Sequence, residues 1–176
     1  FFMNHTPINL VIAINRLYVK YAYVMLYSFL CHHPEPVSVY ILHHELTPED
    51  EATLQTLSQQ FAVHISLVYV PDSLLPPPEV LKTSSWGIEA YFRLAITDLL
   101  PASVDRALYL DTDIIVNAPV YDLYELDFGS KLIAACKEFT CHPPFGNYRD
   151  VLFAPLFEHG FSYFNSGMIL YNLAAL

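Results

Sequence analysis

The chain has 176 residues, of which 54% are apolar and only 15% are charged, a composition typical of one folded domain rather than a disordered segment. Its formal net charge of −10 at pH 7 would repel a phosphate backbone, so we expect no nucleic-acid partner. A small phosphate-bearing ligand stays compatible with this charge if a cation screens the carboxylates around it.

Cysteine usage and hydropathy indicate a cytoplasmic protein. The longest apolar run, 21–31, is too short to cross a bilayer, which takes about 20 residues. The three cysteines, Cys31, Cys136 and Cys141, do not resemble a secreted disulfide framework. Reduced thiols are therefore the interpretation that we favour, while a Cys136–Cys141 bridge or a metal site with His142 stays open.

Short apolar runs alternate with helical patterns along the first half of the chain. Strands are predicted over residues 9–14, 37–42 and 64–70. Helices are predicted over 18–31 and from Thr47, where a capping hydroxyl precedes Pro48 and two acidic residues.

The second half continues the alternation after a turn-rich linker at 71–78. It predicts a helix from about Ser85 to Pro101, strands over 107–110, 131–136 and 168–171, and a long loop between the last two. Residues 172–176 look like the start of another helix. The whole pattern predicts a single α/β unit with layered helices and a mostly parallel sheet.

Two aspartates, Asp111 and Asp113, directly follow the predicted strand 107–110. Open α/β folds bind ligands at the carboxyl edge of the sheet, where this strand ends. Residues two apart on an extended chain point the same way, with Cα atoms roughly 6.5 Å apart. A hard divalent cation would relieve the repulsion between the two carboxylates and could also bind a diphosphate. The alternative is that both aspartates cap a turn.

The segment Asn165-Ser166-Gly167 is predicted to be a turn that leads into an apolar strand. Its small side chains would let a ligand approach the backbone, and Asn165 offers both a donor and an acceptor. The alternative is an ordinary connection between a loop and a strand.

Four stretches in order resemble family 8 glycosyltransferases, the group that includes bacterial lipopolysaccharide galactosyl- and glucosyltransferases and the glycogenins. They are the opening strand with residues 13–18, the Ala-Tyr-Phe-Arg-Leu segment 90–94, the Leu-Tyr-Leu-Asp-Thr-Asp segment 108–113, and the Tyr-Phe-Asn-Ser-Gly segment 163–167. The strand with its Asp-x-Asp motif and the Phe-Asn-Ser-Gly element are the specific ones. The likeness covers nearly the whole chain.

This resemblance implies a GT-A fold, a Rossmann-like layered nucleotide-diphospho-sugar transferase fold. It implies a retaining hexosyltransferase that moves a hexose from a UDP-sugar to a glycan or lipopolysaccharide-type acceptor, with Mn²⁺ (or Mg²⁺) as cofactor.

The resemblance also implies which residues form the site. Asp111 and Asp113 would be the metal ligands. The substrate-binding residues that it implies are Ala13, Asn15 and Tyr18 for uracil and ribose, Arg93 for the donor sugar or the acidic cluster, Asp111 and Thr112 of the Asp-x-Asp motif, Glu138 and Asn165 for sugar hydroxyls, and Ser166 for backbone contacts.

The resemblance identifies no catalytic residue, and the chain departs from the family pattern in three places. Asn15 stands where the family usually has Asp, and Glu138 replaces a more usual Asp. The late His-Gly-Lys-Pro-Trp-like segment whose His completes the family's metal site does not occur in these residues. We therefore expect residues 1–176 to be the N-terminal portion of a GT-A domain that binds UDP weakly and shows little or no transfer by itself. For Arg93, a structural ion pair that positions its helix is the alternative role.

Other functions compete with a glycosyltransferase. A non-catalytic sugar-nucleotide-binding or interaction module would explain Asn15 and the missing His. A phosphatase of the haloacid dehalogenase type also uses a strand followed by Asp-x-Asp, but its motif usually follows the first strand. No Gly-x-Gly-x-x-Gly motif follows a strand, which disfavours a nicotinamide-dependent enzyme.

The many Tyr and Phe side chains are compatible with a homo-oligomer. Peripheral membrane association through a further C-terminal region is compatible with the family.

Overall fold

A computed structural model describes residues 6–79, 87–137 and 164–176 and builds them around one six-stranded sheet. The strands in chain order are β1 (Ile8–Ala13), β2 (Val37–His43), β3 (His64–Tyr69), β4 (Arg106–Leu110), β5 (Ile133–Lys137) and β6 (Phe164–Asn172). Their spatial order is β3-β2-β1-β4-β6-β5. The first four strands run parallel, and β6 is antiparallel to both β4 and β5. The predicted α/β fold with a mostly parallel sheet is confirmed.

Helices and 3-10 segments connect these strands. The α-helices that lie wholly within the described ranges are α1 (Val19–Cys31), α2 (Pro48–Phe61), α3 (Ile96–Leu99) and α4 (Tyr121–Tyr124). The 3-10 segments are Arg16–Tyr18, Asp72–Leu74, Ile88–Ala95 and Leu173–Ala175. In the part of the chain that the structure describes, no helix combines the length and the apolar character needed to cross a bilayer.

The start of α2 follows directly from its sequence. The Thr47 hydroxyl accepts a hydrogen bond from the Asp50 amide, and the Asp50 carboxylate accepts one from the Thr47 amide in return. Pro48 occupies the first turn, where its missing N–H costs no helical hydrogen bond. The helix ends at Ala62, which adopts a left-handed conformation with φ 51°.

The sheet is covered on both faces, so its alternate side chains enter two cores. Ile8, Leu10 and Ile12 point into the core that holds α1 and α2. Val11 points the other way and packs in the core with Phe92 and other side chains of the 88–100 region. Burial on both faces explains why the strands read as continuous apolar runs in the sequence.

Two predicted helices differ from the structure. The helix expected from Ser85 is 3-10 over Ile88–Ala95 and becomes α-helical only at α3, while Ser85 itself lies outside the described residues. The Arg93 side chain donates its Nε–H to the Ala90 carbonyl over 2.9 Å, which takes up an acceptor that an α-helix would use. The expected final helix is the 3-10 turn Leu173–Ala175.

The third difference concerns residues 165–167, which do not form a turn before the last strand. β6 begins at Phe164, so these residues lie in its first part. Its pairing with β5 is irregular there, with a register shift between Ala135 and Lys137. The strand is held instead from the β4 side, where the Asp111 amide donates to the Gly167 carbonyl over 2.8 Å.

The strand order places a topological switch point between β1 and β4. From β1 the chain builds outward through β2 and β3, and then returns to add β4 on the other side of β1. The loops that leave the carboxyl ends of β1 and β4 therefore diverge. In open α/β sheets, ligands bind at this topological switch point.

The cysteine prediction is only partly addressed by the structure. Cys31 and Cys136 are exposed, and neither forms a disulfide with another described residue. Cys141 and His142 lie outside the described residues, so the alternatives that involve them stay predictions.

Candidate functional site

A cleft of about 230 Å³ opens at the switch point between β1 and β4. It brings together residues that are far apart in the sequence. Its lining comprises Ala13, Ile14, Asn15, Tyr18, Gly87, Glu89, Ala90, Arg93, Tyr109, Asp111, Thr112 and Asp113. Seven of the predicted site residues therefore share one cleft: Ala13, Asn15, Tyr18, Arg93, Asp111, Thr112 and Asp113.

The β1 side of the cleft is shaped by Asn15. Its side-chain carbonyl accepts a 2.9 Å hydrogen bond from the Leu17 amide and so caps the 3-10 turn Arg16–Tyr18. The Nδ2 group of Asn15 has no hydrogen bond to any described residue, so it can donate to a ligand. Tyr18 follows with 45% of its surface exposed and its ring 5.5 Å from that of Tyr21.

On the β4 side, the Asp111 carboxylate is held through one oxygen. Oδ1 accepts 2.9 Å hydrogen bonds from Arg93 Nη2 and from the Tyr109 hydroxyl. Oδ2 accepts no hydrogen bond from the described residues. The carboxylate is thus oriented but still has one oxygen able to bind a ligand.

The Arg93 side chain contacts three parts of the site. Besides its bond to Asp111, its Nη1 donates to the Ser166 carbonyl, and its guanidinium lies 4.4 Å from the centre of the Tyr109 ring. The Tyr171 hydroxyl donates to the Arg93 carbonyl over 3.2 Å. Only 12% of the Arg93 side chain is exposed, so the structural ion pair that the sequence left as an alternative is present.

The first residues of β6 lie against Asp111. The Asn165 side-chain carbonyl accepts a 2.8 Å hydrogen bond from the Gly167 amide. A Cβ atom at Gly167 would lie 2.8 Å from Asp111 Oδ2, which is a steric clash. Glycine has no Cβ atom and so avoids it. The close approach of this strand to the carboxylate therefore requires glycine at 167.

The remaining predicted residues differ in their surroundings. Asp113 is exposed at the cleft, whereas the Thr112 side chain is buried. Asn165 and Ser166 are exposed at the start of β6. Glu138 lies outside the described residues, and its role stays a prediction.

The two aspartates have the donor chemistry that a hard divalent cation prefers. The unbonded Oδ2 of Asp111 and the exposed carboxylate of Asp113 both line the cleft. Within the described ranges, no group of three or more His, Cys, Asp or Glu side chains could hold a metal. The two carboxylates therefore fit part of a coordination shell, and its other ligands would have to come from phosphate oxygens, water or the rest of the protein.

Two tyrosines at the site have pKa values that burial moves above the ordinary value of 10.0. Loss of hydration raises the pKa of Tyr109 well above its ordinary value, against the opposing effect of the nearby Arg93 charge. Burial likewise raises the pKa of Tyr171 to about 12, again opposed by Arg93. Both hydroxyls keep their protons at neutral pH and act as hydrogen-bond donors.

Five residues of the cleft lining were not predicted as site residues: Ile14, Gly87, Glu89, Ala90 and Tyr109. Tyr109 stands two residues before Asp111 and shares its side of the chain, a spacing that could have indicated the contact. Glu89 and Gly87 precede Arg93, at the start of its 3-10 segment. Nothing in the sequence distinguishes them from ordinary helix-start residues.

The chain belongs to glycosyl transferase family 8, whose family model matches residues 9–176. This agrees with the resemblance seen in the four sequence stretches. It also removes the haloacid dehalogenase alternative, as does the presence of three strands before the Asp-x-Asp motif.

Curated relatives come from bacteria and plants. A putative glycosyltransferase of Haemophilus influenzae is 24% identical over 166 residues, which cover 94% of this chain and 48% of the relative. Probable galacturonosyltransferase-like 7 of Arabidopsis thaliana is 30% identical, with 97% of this chain and 48% of the relative covered. Lipopolysaccharide 1,2-glucosyltransferase of Escherichia coli is 28% identical over 70% of this chain and 36% of the relative. The chain spans about half the length of the first two relatives.

Solved structures of the galactosyltransferase LgtC share the fold. A complex of LgtC with donor and acceptor sugar analogues superimposes with a TM-score of 0.75 at 23% identity, covering 96% of this chain and 59% of LgtC. An active-site mutant of LgtC gives a TM-score of 0.76 at 24% identity, covering 96% of this chain and 58% of the mutant. The GT-A fold expected from the resemblance is confirmed.

Proposed function

We propose that this protein is a glycosyltransferase that moves a hexose from a UDP-sugar to a glycan or lipopolysaccharide-type acceptor with retention at the anomeric carbon. Residues 1–176 form the N-terminal, donor-binding portion of its GT-A domain. The observation that carries the proposal is the placement of Asp111 and Asp113 in the switch-point cleft, with Arg93 bonded to Asp111.

The nucleoside would lie along the β1 side of the cleft. Ala13 leaves room beside the backbone, and the Nδ2 of Asn15 is available to donate to a uracil carbonyl. The exposed Tyr18 offers its ring or hydroxyl to the base or the ribose. Because Asn15 already uses its carbonyl oxygen to cap the following turn, its ligand contact differs from one made by Asp.

The diphosphate would lie near Asp111, Thr112 and Asp113. Asp111 Oδ2 and the Asp113 carboxylate would hold Mn²⁺ or Mg²⁺ together with diphosphate oxygens. A divalent cation bound there stabilises the negative charge that develops on the departing UDP. The acidic cluster is then a means of binding metal, so the net charge of −10 agrees with a phosphate ligand.

Arg93 can both organise the site and contact the donor sugar. A guanidinium has about five N–H donors, and three of them are directed to Ala90, Asp111 and Ser166, which leaves about two for a ligand. Asn165 and Glu138 would bind sugar hydroxyls. The Ser166 carbonyl is already bonded to Arg93, so its contribution is to hold that side chain.

The names of the relatives support a saccharide acceptor. They include a lipopolysaccharide glucosyltransferase, and the related LgtC was crystallised with donor and acceptor sugar analogues. We extend this to a bacterial lipopolysaccharide-type acceptor and a cytoplasmic site of action. Association with membranes or with a second copy would involve parts of the protein beyond the cleft.

Calorimetry with UDP, with and without Mn²⁺, tests the proposal. We expect weak UDP binding that strengthens at least about tenfold when Mn²⁺ is added, because the two aspartates need a cation before they accept a diphosphate. Binding that is absent or independent of metal would favour a non-catalytic module instead. UDP-glucose and UDP-galactose, titrated in the same way, distinguish recognition of the sugar from recognition of the nucleotide.

A further inference from the structure

Tyr109 is a buried polar side chain at the floor of the cleft. Only 1% of its surface is exposed, and its ring packs in the core with Phe92 and Ile169. Its hydroxyl emerges at the cleft and donates to Asp111 Oδ1 over 2.9 Å. A phenylalanine would fill the same core volume, so packing alone does not explain the hydroxyl.

The ring and the hydroxyl of Tyr109 act on the two members of one ion pair. The Arg93 guanidinium lies 4.4 Å from the ring centre, within reach of a cation–π attraction. The same guanidinium and the Tyr109 hydroxyl meet at a single atom, Asp111 Oδ1. Two donors on one carboxylate oxygen fix the rotation of the carboxyl group, since turning it would break both bonds.

The opposite oxygen is left for a ligand. Asp111 Oδ2 has no hydrogen-bond partner among the described residues, and it lies beside the glycine at 167, where no side chain can block it. The Asp111 backbone is fixed as well, through its amide bond to the Gly167 carbonyl. The carboxylate is thus preorganised before any ligand arrives.

We propose that Tyr109 is a positioning residue of the donor site, which orients Asp111 so that Oδ2 faces the divalent cation. The inference rests on the proposed function, because it assigns the purpose of this orientation to metal binding. Tyr109 contacts neither substrate nor metal in this role. It acts through Asp111 and through the placement of Arg93.

The test compares Y109F with Y40F as a matched control. Tyr40 is also buried in the core on the same face of the sheet, and its hydroxyl has no hydrogen bond to a described residue. Both variants lose one hydroxyl and keep the ring. Electron paramagnetic resonance of Mn²⁺ in the presence of UDP measures the metal affinity, and calorimetry without metal measures the affinity for UDP alone.

We expect Y109F to weaken Mn²⁺ binding about tenfold, the loss typical of a hydrogen bond to a charged group, with metal-free UDP binding unchanged. Y40F should change neither affinity. A purely structural role of Tyr109 would instead lower thermal stability and weaken both affinities together. Equal Mn²⁺ affinity in Y109F, Y40F and the parent protein would overturn the inference.

A double-mutant cycle with Asp111→Asn provides the second measurement. If Tyr109 acts through Asp111, Y109F should weaken Mn²⁺ binding much less in the Asp111→Asn variant than in the parent protein. Additive losses would contradict the inference while leaving the proposed function intact. If the parent protein shows no Mn²⁺-dependent UDP binding at all, the proposed function fails and the inference fails with it.

Discussion

Gly167 lies directly against the carboxylate of Asp111. Its carbonyl accepts the Asp111 amide at 2.8 Å, and its Cα faces Oδ2 so closely that an added Cβ would be 2.8 Å from that oxygen and 3.4 Å from Cγ. The glycine of the Asn-Ser-Gly segment therefore serves a close approach between β6 and the proposed metal-binding aspartate, rather than a turn.

Gly167→Ala should fold and yet lose metal-dependent UDP binding. Gly167 has a backbone conformation open to other residues, because Gly129 is the glycine with positive φ among the described residues. The new methyl group would displace the Asp111 carboxylate from its position. We expect the affinity for UDP in the presence of Mn²⁺, measured by calorimetry, to fall at least about tenfold, similar to the loss of one charged ligand contact.

Gly129→Ala is the matched control for that substitution. Gly129 has φ 53°, and a Cβ atom added there would meet nothing within 4 Å, so alanine would be strained in its backbone but not crowded. We expect a loss of stability of about 1 kcal/mol in urea unfolding and unchanged UDP binding. If both variants keep full UDP affinity, Asp111 Oδ2 does not need the space that glycine leaves.

Asp113→Asn should abolish the response of UDP binding to Mn²⁺. Asp113 is exposed at the cleft and has no ion pair with a described residue, so its charge is available to a cation. We expect the ratio of UDP affinities with and without Mn²⁺ to approach one. Asp98→Asn removes the same charge from an exposed position on α3, outside the cleft lining, and should leave the ratio unchanged. If Asp113→Asn and Asp98→Asn have the same ratio of UDP affinities with and without Mn²⁺, Asp113 is not a ligand of the metal.

Much of the fold could be predicted from the sequence because its signals are local. β1 and β2 are continuous apolar runs, and their predicted bounds agree with the structure within one residue. The cap at Thr47 likewise depends on neighbouring side chains alone. Such features are determined by residues a few positions apart, which a sequence displays directly.

The site could be predicted only in part, because its contacts join distant segments. The pair Asp111 and Asp113 is recognisable from its place after a strand. The bond of Arg93 to the Ser166 carbonyl connects positions 73 apart in the chain, and no local pattern encodes it. The extension of β6 to Phe164 also depends on long-range contacts, namely the pairing of Phe164 with Lys137 of β5 and the hydrogen bond from the Asp111 amide to the Gly167 carbonyl. A local pattern does not show these contacts, which is why the sequence predicts a turn at residues 165–167.

Thr47→Ala should destabilise the protein by about 1 kcal/mol, since it removes the hydroxyl that caps α2. The same hydroxyl and the Thr47 amide hold the pKa of Asp50 below its ordinary value of 3.8, with a smaller effect of Arg16. This contribution is present above pH 3.8 and is lost as the pH falls through the lowered pKa. Urea unfolding should therefore show a weaker loss of stability on the acid side in Thr47→Ala than in the parent protein.

Thr53→Ala is the control within the same helix. Thr53 is exposed, and its hydroxyl bonds to the Glu49 carbonyl in the helix interior, where alanine is the better helix former. We expect its stability to be unchanged or slightly raised. Equal destabilisation by the two substitutions would show that the cap does not determine the stability of α2.

His33 should make the stability of the fold depend on pH between neutral and mildly acidic conditions. Its Nε2 accepts a 2.9 Å hydrogen bond from the Val120 amide, so this nitrogen carries no proton, and Nδ1 donates to the Phe29 carbonyl. Protonation of Nε2 would break the bond that connects the end of α1 to the segment before α4. Burial lowers the pKa of His33 below its ordinary value of 6.5, against the opposing effect of the Phe29 carbonyl.

The direction in which stability changes with pH follows from this lowered pKa. Below pH 6.5 the unfolded chain takes up a proton at position 33 that the folded chain resists, so stability is full above pH 6.5 and falls as the pH drops towards the folded pKa. One histidine can change the free energy of unfolding by at most about 1.4 kcal/mol per pH unit.

Urea unfolding at about pH 7.5, 6.5 and 5.5, a range that spans the ordinary histidine pKa, measures this dependence. The free energy of unfolding should decrease less with falling pH in H33Q than in the parent protein. Part of the slope should remain, because burial also lowers the pKa of His43. H64Q, at an exposed position, should keep the parent slope, and an unchanged slope in H33Q would assign the pH dependence to other groups.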